Sequence, residues 1–224
     1  MRYELIGNIM PAVEVTLQQG ESMYTQSGAM AWMSDGLTVD SNIKGGFARG
    51  VGRMFTGESL FMATYTAQRN DATIAFASTV PGKILPVSVD NAGLICQKDA
   101  FLCAEPYVEL RTVFSRKFSS GLFGGEGFLL QELSGRGLAF LEVDGDIVEK
   151  NLAPGEVIKV DTGNVVAFEG HMRYEVETVK GLKNIFFGGE GLFLTKLTGP
   201  GKVYLQTMNY HDFAAKIIRL APSK

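Results

Sequence analysis

The chain has 224 residues, 46% of them hydrophobic and 20% charged, with a formal net charge of −3. That apolar fraction supports a real core and excludes a disordered chain. The acidic balance excludes a global attraction to nucleic acid or to an anionic membrane, so either partner would need a local basic patch.

The length suits one large all-β domain or two smaller ones. Tyr3-Glu-Leu-Ile6 reads as a first strand and Ala12-Val-Glu-Val-Thr-Leu17 as a second. Gly20–Thr25 follows a Gln-Gln-Gly turn, Ser27-Gly28 breaks the chain, and Ala29–Met33 resumes it, apolar on both faces. Asp35-Gly36 turns into Leu37-Thr-Val-Asp40, which alternates apolar and polar. Short strands punctuated by Gly, Asp and Asn are the signature of an all-β fold. The 27 glycines fit it, since they cluster at turns. No apolar h-region opens the chain and no apolar run approaches a bilayer span, so a soluble protein located in the cytoplasm is expected.

The element Phe123-Gly-Gly-Glu-Gly127 returns as Phe187-Gly-Gly-Glu-Gly191 and, degraded, as Phe55-Thr-Gly-Glu-Ser59. Each copy leads into an apolar run (Leu60–Tyr65, Phe128–Leu133, Leu192–Leu197), a polar turn and a second run (Thr73–Ala77, Leu138–Val143, Lys202–Thr207). Aligning Gly20, Gly82 and Gly155, then Gly57, Gly125 and Gly189, divides the chain into three repeats of about 60 to 80 residues. Their boundaries fall at 1–80, 81–145 and 146–224, packed as one unit. Phe128-Leu-Leu130 and Leu192-Phe-Leu194 are apolar on both faces, which predicts burial between two sheets or against another subunit. His171, Arg173, Glu175 and Glu177 alternate with Met172, Tyr174 and Val176, a strand with one wet face. At the end, His211–Leu220 changes to helical period with Phe213, Ile217 and Leu220 on one face and Pro222 beyond the stop.

The triplicated Phe-x-Gly-Glu element, the Pro-Gly openings at Pro81-Gly82 and Pro154-Gly155 and the terminal helix resemble the mitochondrial-biogenesis family (altered inheritance of mitochondria), whose bacterial members are also called tryptophan RNA-binding attenuator-like proteins. The resemblance covers almost the whole chain. It implies a double-stranded β-helix-like sandwich in each repeat and modules set side by side as in the attenuator ring. It supplies no catalytic residues. Its mitochondrial members look tied to inner-membrane organisation, and the attenuator's tryptophan and RNA contacts have no matching residues in this sequence.

Gly124-Gly-Glu-Gly127 lacks the following helix and the Lys-Ser/Thr pair of a phosphate loop, so its glycines are read as backbone turns at a strand entry. Glu58, Glu126 and Glu190 occupy equivalent positions, which repeats hold apart, and are read as carboxylates that accept amides of their own loops. Cys96 and Cys103 are read as buried reduced thiols rather than as a disulfide or a metal site. His171 and His211 have no nucleophile at useful spacing. No catalytic residue, cofactor or metal is therefore expected, and the chain is expected not to be an enzyme.

One constellation recurs with cations and aromatics together. Arg49 and Arg53 precede Phe55; Arg116 and Lys117 precede Phe118 and Phe123; Lys180 and Lys183 precede Phe187. Such segments suit an anionic membrane surface, with charge on headgroups and Phe inserted, or single-stranded nucleic acid, which the acidic net charge disfavours. The structural alternative places the aromatics in a core or subunit interface and leaves the cations solvated. The functional expectation is a non-enzymatic oligomeric scaffold or binding protein, closed as a homo-trimer and peripheral at a membrane. The rival is a regulatory protein with small-molecule ligands between modules.

Overall fold

The structure, a computed structural model, describes residues 1–26, 28–41, 62–90, 92–116, 128–178 and 193–220. In chain order its strands are β1 (Arg2–Ile6), β2 (Ala12–Leu17), β3 (Ser22–Gln26), β4 (Met30–Met33), β5 (Leu37–Ser41), β6 (Met62–Ala67) and β7 (Ala72–Ala77). They continue as β8 (Gly82–Val89), β9 (Leu94–Gln97), β10 (Phe101–Ala104), β11 (Val108–Arg116), β12 (Phe128–Gly135) and β13 (Gly137–Asp144). The last are β14 (Ile147–Leu152), β15 (Val157–Asp161), β16 (Val165–Glu169), β17 (Arg173–Thr178), β18 (Phe193–Thr198) and β19 (Gly201–Gln206). A helix, α1 (Tyr210–Leu220), follows, and short 3₁₀ turns at Lys98–Ala100 and Thr162–Asn164 join β9 to β10 and β15 to β16. The all-β class and the terminal helix read from the sequence are those observed.

Among the described residues every strand pairing is antiparallel, in four sheets ordered β1-β2-β7-β4, β5-β6-β3-β10-β13-β8, β11-β12-β9-β16-β19-β14 and β15-β18-β17. With β1 set aside, the same pairing recurs in the sets β2–β7, β8–β13 and β14–β19. The first strand of a set pairs with its sixth and the sixth with its third. The second pairs with the fifth and the fifth with the fourth. Each third strand breaks register against its sixth at one residue, between Met30 and Trp32, Phe101 and Cys103, and Val165 and Ala167. A β-bulge of this kind bends the strand away from its own set. Two of the three bent strands pair with the second strand of the preceding set, β10 with β3 and β16 with β9. β4 and β15 end their sheets with no such partner among the described strands.

The pairing corrects one alignment. Gly82 opens β8, the first strand of its set, whereas Gly20 and Gly155 precede second strands. Their counterpart is Gly93, before β9, and all three hold positive φ (85°, 69° and 76° at Gly20, Gly93 and Gly155). A turn entering the second strand needs this left-handed backbone, which favours glycine. Gly82 is glycine for another reason: a Cβ there would run into the Val143 carbonyl on β13.

Successive sheets face one another across three cores. Val13, Val15, Ile74, Phe76, Leu102 and Phe140 fill the first, Leu94, Cys96, Phe101, Leu133 and Leu141 the second, and Phe128, Leu130, Val165, Phe168, Leu197 and Val203 the third. The two six-stranded sheets carry a core on each face, so Phe128, Leu129 and Leu130 of β12 are all buried. Phe193 and Leu194 are only half-buried, because the last sheet has a core on one face; Leu192 lies outside the described residues. On β17 the outward row forms ion pairs, Arg173 to Glu175 at 2.6 Å and Lys159 to Glu177 at 2.7 Å, while Tyr174 and Val176 pack on the third core. No helix among the described residues is long and apolar enough to cross a membrane.

Candidate functional site

Register brings several chain segments to one end of the sheets. β3 ends at Gln26 opposite Met62, the first residue of β6, and β4 starts at Met30 opposite Phe76 near the end of β7. The same holds for Gln97 with Leu130, Phe101 with Leu141, Asp161 with Leu194 and Val165 with Leu205. The turns between second and third strands, the segments leaving the sixth strands and the start of α1 therefore share one rim. A cavity of about 380 Å³ opens there, walled by Ala29, Val80, Phe101 and Leu102 and by the polar side chains of Gln97, Asp99, Glu142, Asp144, Gln206 and His211.

Two equivalent residues hold the crossing segments of this rim. The register places Glu142 of β13 and Gln206 of β19 one residue beyond the bulge-matched Leu141 and Leu205, with Ala77 their counterpart on β7. Oε1 of Glu142 accepts from Ser78 Oγ at 2.8 Å, Thr79 N at 2.6 Å, Thr79 Oγ1 at 3.1 Å and Val80 N at 3.3 Å. Gln206 Oε1 accepts from Asp144 N at 3.0 Å, and its Nε2 donates to Gly163 O at 2.9 Å and Asp144 Oδ2 at 3.3 Å. Buried polar side chains are tolerated because they satisfy backbone groups that have left the ladder.

Asp144 carries the main electrostatic perturbation. Burial first, and then the negative charge of Glu142, push its carboxyl up to about 6, against the pull of the Tyr210 amide and of His211. Asn209 caps α1, its Oδ1 accepting from His211 N at 3.1 Å and Asp212 N at 3.4 Å. His211 Nε2 lies 3.6 Å from Asp99 Oδ2 across the cavity mouth.

Of the basic-aromatic residues singled out from the sequence, Arg49, Arg53, Phe55, Lys117, Phe123, Lys180, Lys183 and Phe187 lie outside the described residues, as do Glu58, Glu126 and Glu190. Arg116 closes β11, its backbone opposite Phe128. The strand ends that bracket the three segments, Ser41 with Ala63, Arg116 with Phe128 and Thr178 with Phe193, belong to the cavity's rim. Cys96 and Cys103 are free and buried, and burial pushes the Cys96 thiol up to about 12. His171 is exposed on the opposite turn, 3.0 Å from the Pro200 carbonyl. Sequence reasoning passed over Gln97, Glu142, Asp144 and Gln206. The available signal was Glu142 itself, a lone charge inside the apolar run Leu138–Val143.

Residues 3–208 match the family model described as mitochondrial biogenesis AIM24. An uncharacterized protein of Streptococcus pyogenes serotype M6 is 28% identical over 221 residues, which cover 95% of this chain and 88% of that one. The crystal structure of another Streptococcus pyogenes protein superposes with a TM-score of 0.79 at 25% identity, covering 98% of this chain and 99% of that one.

Proposed function

The chain belongs to the mitochondrial biogenesis AIM24 family, and from that premise we propose that it is a non-enzymatic scaffold of three related modules which closes into a ring with copies of itself. One observation carries the reading: both internal seams use one register, and the two outer sheets end on the strands that would make a third. Bulge-matched positions pair Cys103 with Thr25 and Ala167 with Cys96, then Ala104 with Tyr24 and Phe168 with Ile95. Carried to the free strands, that register sets Trp32 of one copy against Val160 of the next and Met33 against Lys159.

Edge chemistry favours the pairing. β4 is Met-Ala-Trp-Met, with Trp32 46% and Met33 40% exposed, and Val157 on β15 is 47% exposed. An apolar edge such as β4 invites strand addition, and a head-to-tail contact of this kind closes into a ring or runs on as a fibre. Closure by three copies is the size we assign.

Light scattering coupled to size exclusion tests it: the wild type should elute as a trimer, and Trp32→Asp with Met33→Asp as a folded monomer. A wild-type monomer at micromolar concentration would end the reading. The same proposal gives the rim whose strand ends bracket the basic-aromatic stretches of sequence to an anionic membrane surface, where each engaged cation contributes about 1 kcal/mol before screening. Co-sedimentation with phosphatidylserine vesicles, and none with phosphatidylcholine vesicles, is expected; indifference to both at low salt would remove the membrane from it.

A further inference from the structure

The rim cavity holds polar capacity that the protein's own groups leave unused. Gln97 is 6% exposed, and among the described residues its side-chain amide has no hydrogen-bond partner. Glu142 is 8% exposed, and its four hydrogen bonds all fall on Oε1, so Oε2 has none among the described residues. Among the described residues every fully enclosed side-chain N or O atom has a partner, so the free atoms of Gln97 and Glu142 are ones that open onto the cavity, where a bound molecule can reach them. Both line a space large enough for a molecule of several heavy atoms.

The surroundings select the kind of molecule. Glu142, Asp144 and Asp99 outnumber Lys98 and His211 around the cavity, which disfavours an anion. A hard metal ion takes six or more oxygens, and among the described residues no three His, Cys, Asp or Glu side chains converge as a metal site. The remaining wall is apolar: Ala29, Val80, Phe101 and Leu102. Two carboxylates and an amide on one side, with hydrocarbon on the other, match a charged nitrogen that has several N–H donors and a short apolar body.

We propose that this cavity binds a small organic ammonium ion, its charge between Glu142 Oε2 and Asp144, an N–H on the Gln97 carbonyl and its carbon chain against Phe101 and Leu102. The site lies within one chain, so it is independent of ring closure and survives a monomeric result. Binding depends on an ionised Asp144. Around it stand Glu142 on its own strand, Asp99 and Lys98 on the turn after β9, His211 and the Tyr210 N–H on α1, and Gln206 on β19. Since Asp144 titrates near 6 in the free protein, affinity falls as pH drops through that value, by up to about tenfold between pH 7.5 and pH 5.

Saturation-transfer NMR with n-butylammonium, 1-butanol and calcium chloride as separate probes tests the assignment on the full-length protein. The wild type should show saturable binding of butylammonium at pH 7.5, weaker binding at pH 5, none of butanol, and no competition from calcium. Glu142→Gln keeps the Oε1 acceptor and removes the charge, and should weaken binding at least about tenfold. Gln97→Leu should lose binding with an unchanged or raised melting temperature, an outcome a purely structural glutamine does not give. The proposal is overturned if butanol binds as well as butylammonium, if calcium displaces it, if folded wild type binds neither, or if Glu142→Gln binds as well as the wild type.

Discussion

Glu142 and Gln206 stand at the same place on equivalent strands and restrain the crossing chain in opposite ways. At the first crossing, Ser78–Val80 presents two backbone N–H groups and two hydroxyls, donors only, and one carboxylate oxygen collects all four. At the second, Asp144 presents an N–H and a carboxylate together, and an amide answers both while also reaching Gly163. The difference teaches that the position is polar because backbone leaving the sixth strand must be satisfied, and that the crossing segment decides which polar residue does it. On β7, where no preceding set sends a segment across, the counterpart is Ala77.

Glu142→Ala is the strongest way to break the comparison. It leaves the N–H groups of Thr79 and Val80 without their acceptor beside a buried core, and a loss of about 3 to 5 kcal/mol is expected from denaturant unfolding. Glu142→Gln should lose about 1 kcal/mol or less, because Oε1 remains. Equal losses for the two variants would mean that the charge, not the acceptor, holds the crossing.

Gln206→Leu should cost less, about 2 to 3 kcal/mol, since it strands one backbone N–H and one carbonyl rather than a set of donors. A loss as large as that of Glu142→Ala would show that the two crossings bear equal strain, and would undo the distinction drawn between them.

The sequence made the fold class legible through features that act locally. Alternation on Arg173–Thr178, turn residues between short apolar runs, and the change of period before Pro222 each report on neighbours a few residues away. The seams were not legible, because β3 and β9 pair on one side within their own set and on the other with a strand from the next. Nothing in Met23 or Cys96 distinguishes those two partners. The Pro81-Gly82 and Pro154-Gly155 dipeptides looked equivalent because both mark turns, yet the turns lead into a first and a second strand respectively. The cavity was least legible. Its walls come from residues far apart in the chain, and a buried Gln such as Gln97 has the sequence appearance of any strand-end polar residue.

Asp144→Asn makes the smallest change and isolates the charge shared across the second crossing. The folded protein holds the Asp144 carboxyl at about 6, above its ordinary value of 3.8, chiefly through burial. A folded state that disfavours the ionised form binds more protons than the unfolded chain between those two values, so wild-type stability falls as pH rises through them and is flat above about 6. The asparagine has no charge to desolvate and retains an oxygen for the Tyr210 N–H and the Gln206 amide. Because Asp144 is partly open to solvent, screening reduces the full linkage energy, and a gain of about 1 kcal/mol for the variant at pH 7.5 is expected. The gain should shrink as pH falls from 6 toward 4 and vanish below about pH 3, where the wild-type carboxyl is protonated in both states. Urea unfolding of both proteins across pH 3 to 8 gives the curve directly. A difference that stays constant with pH would assign the effect to packing at Gln206 and Tyr210, and the Glu142–Asp144 pair would then carry no electrostatic strain for a cation to relieve.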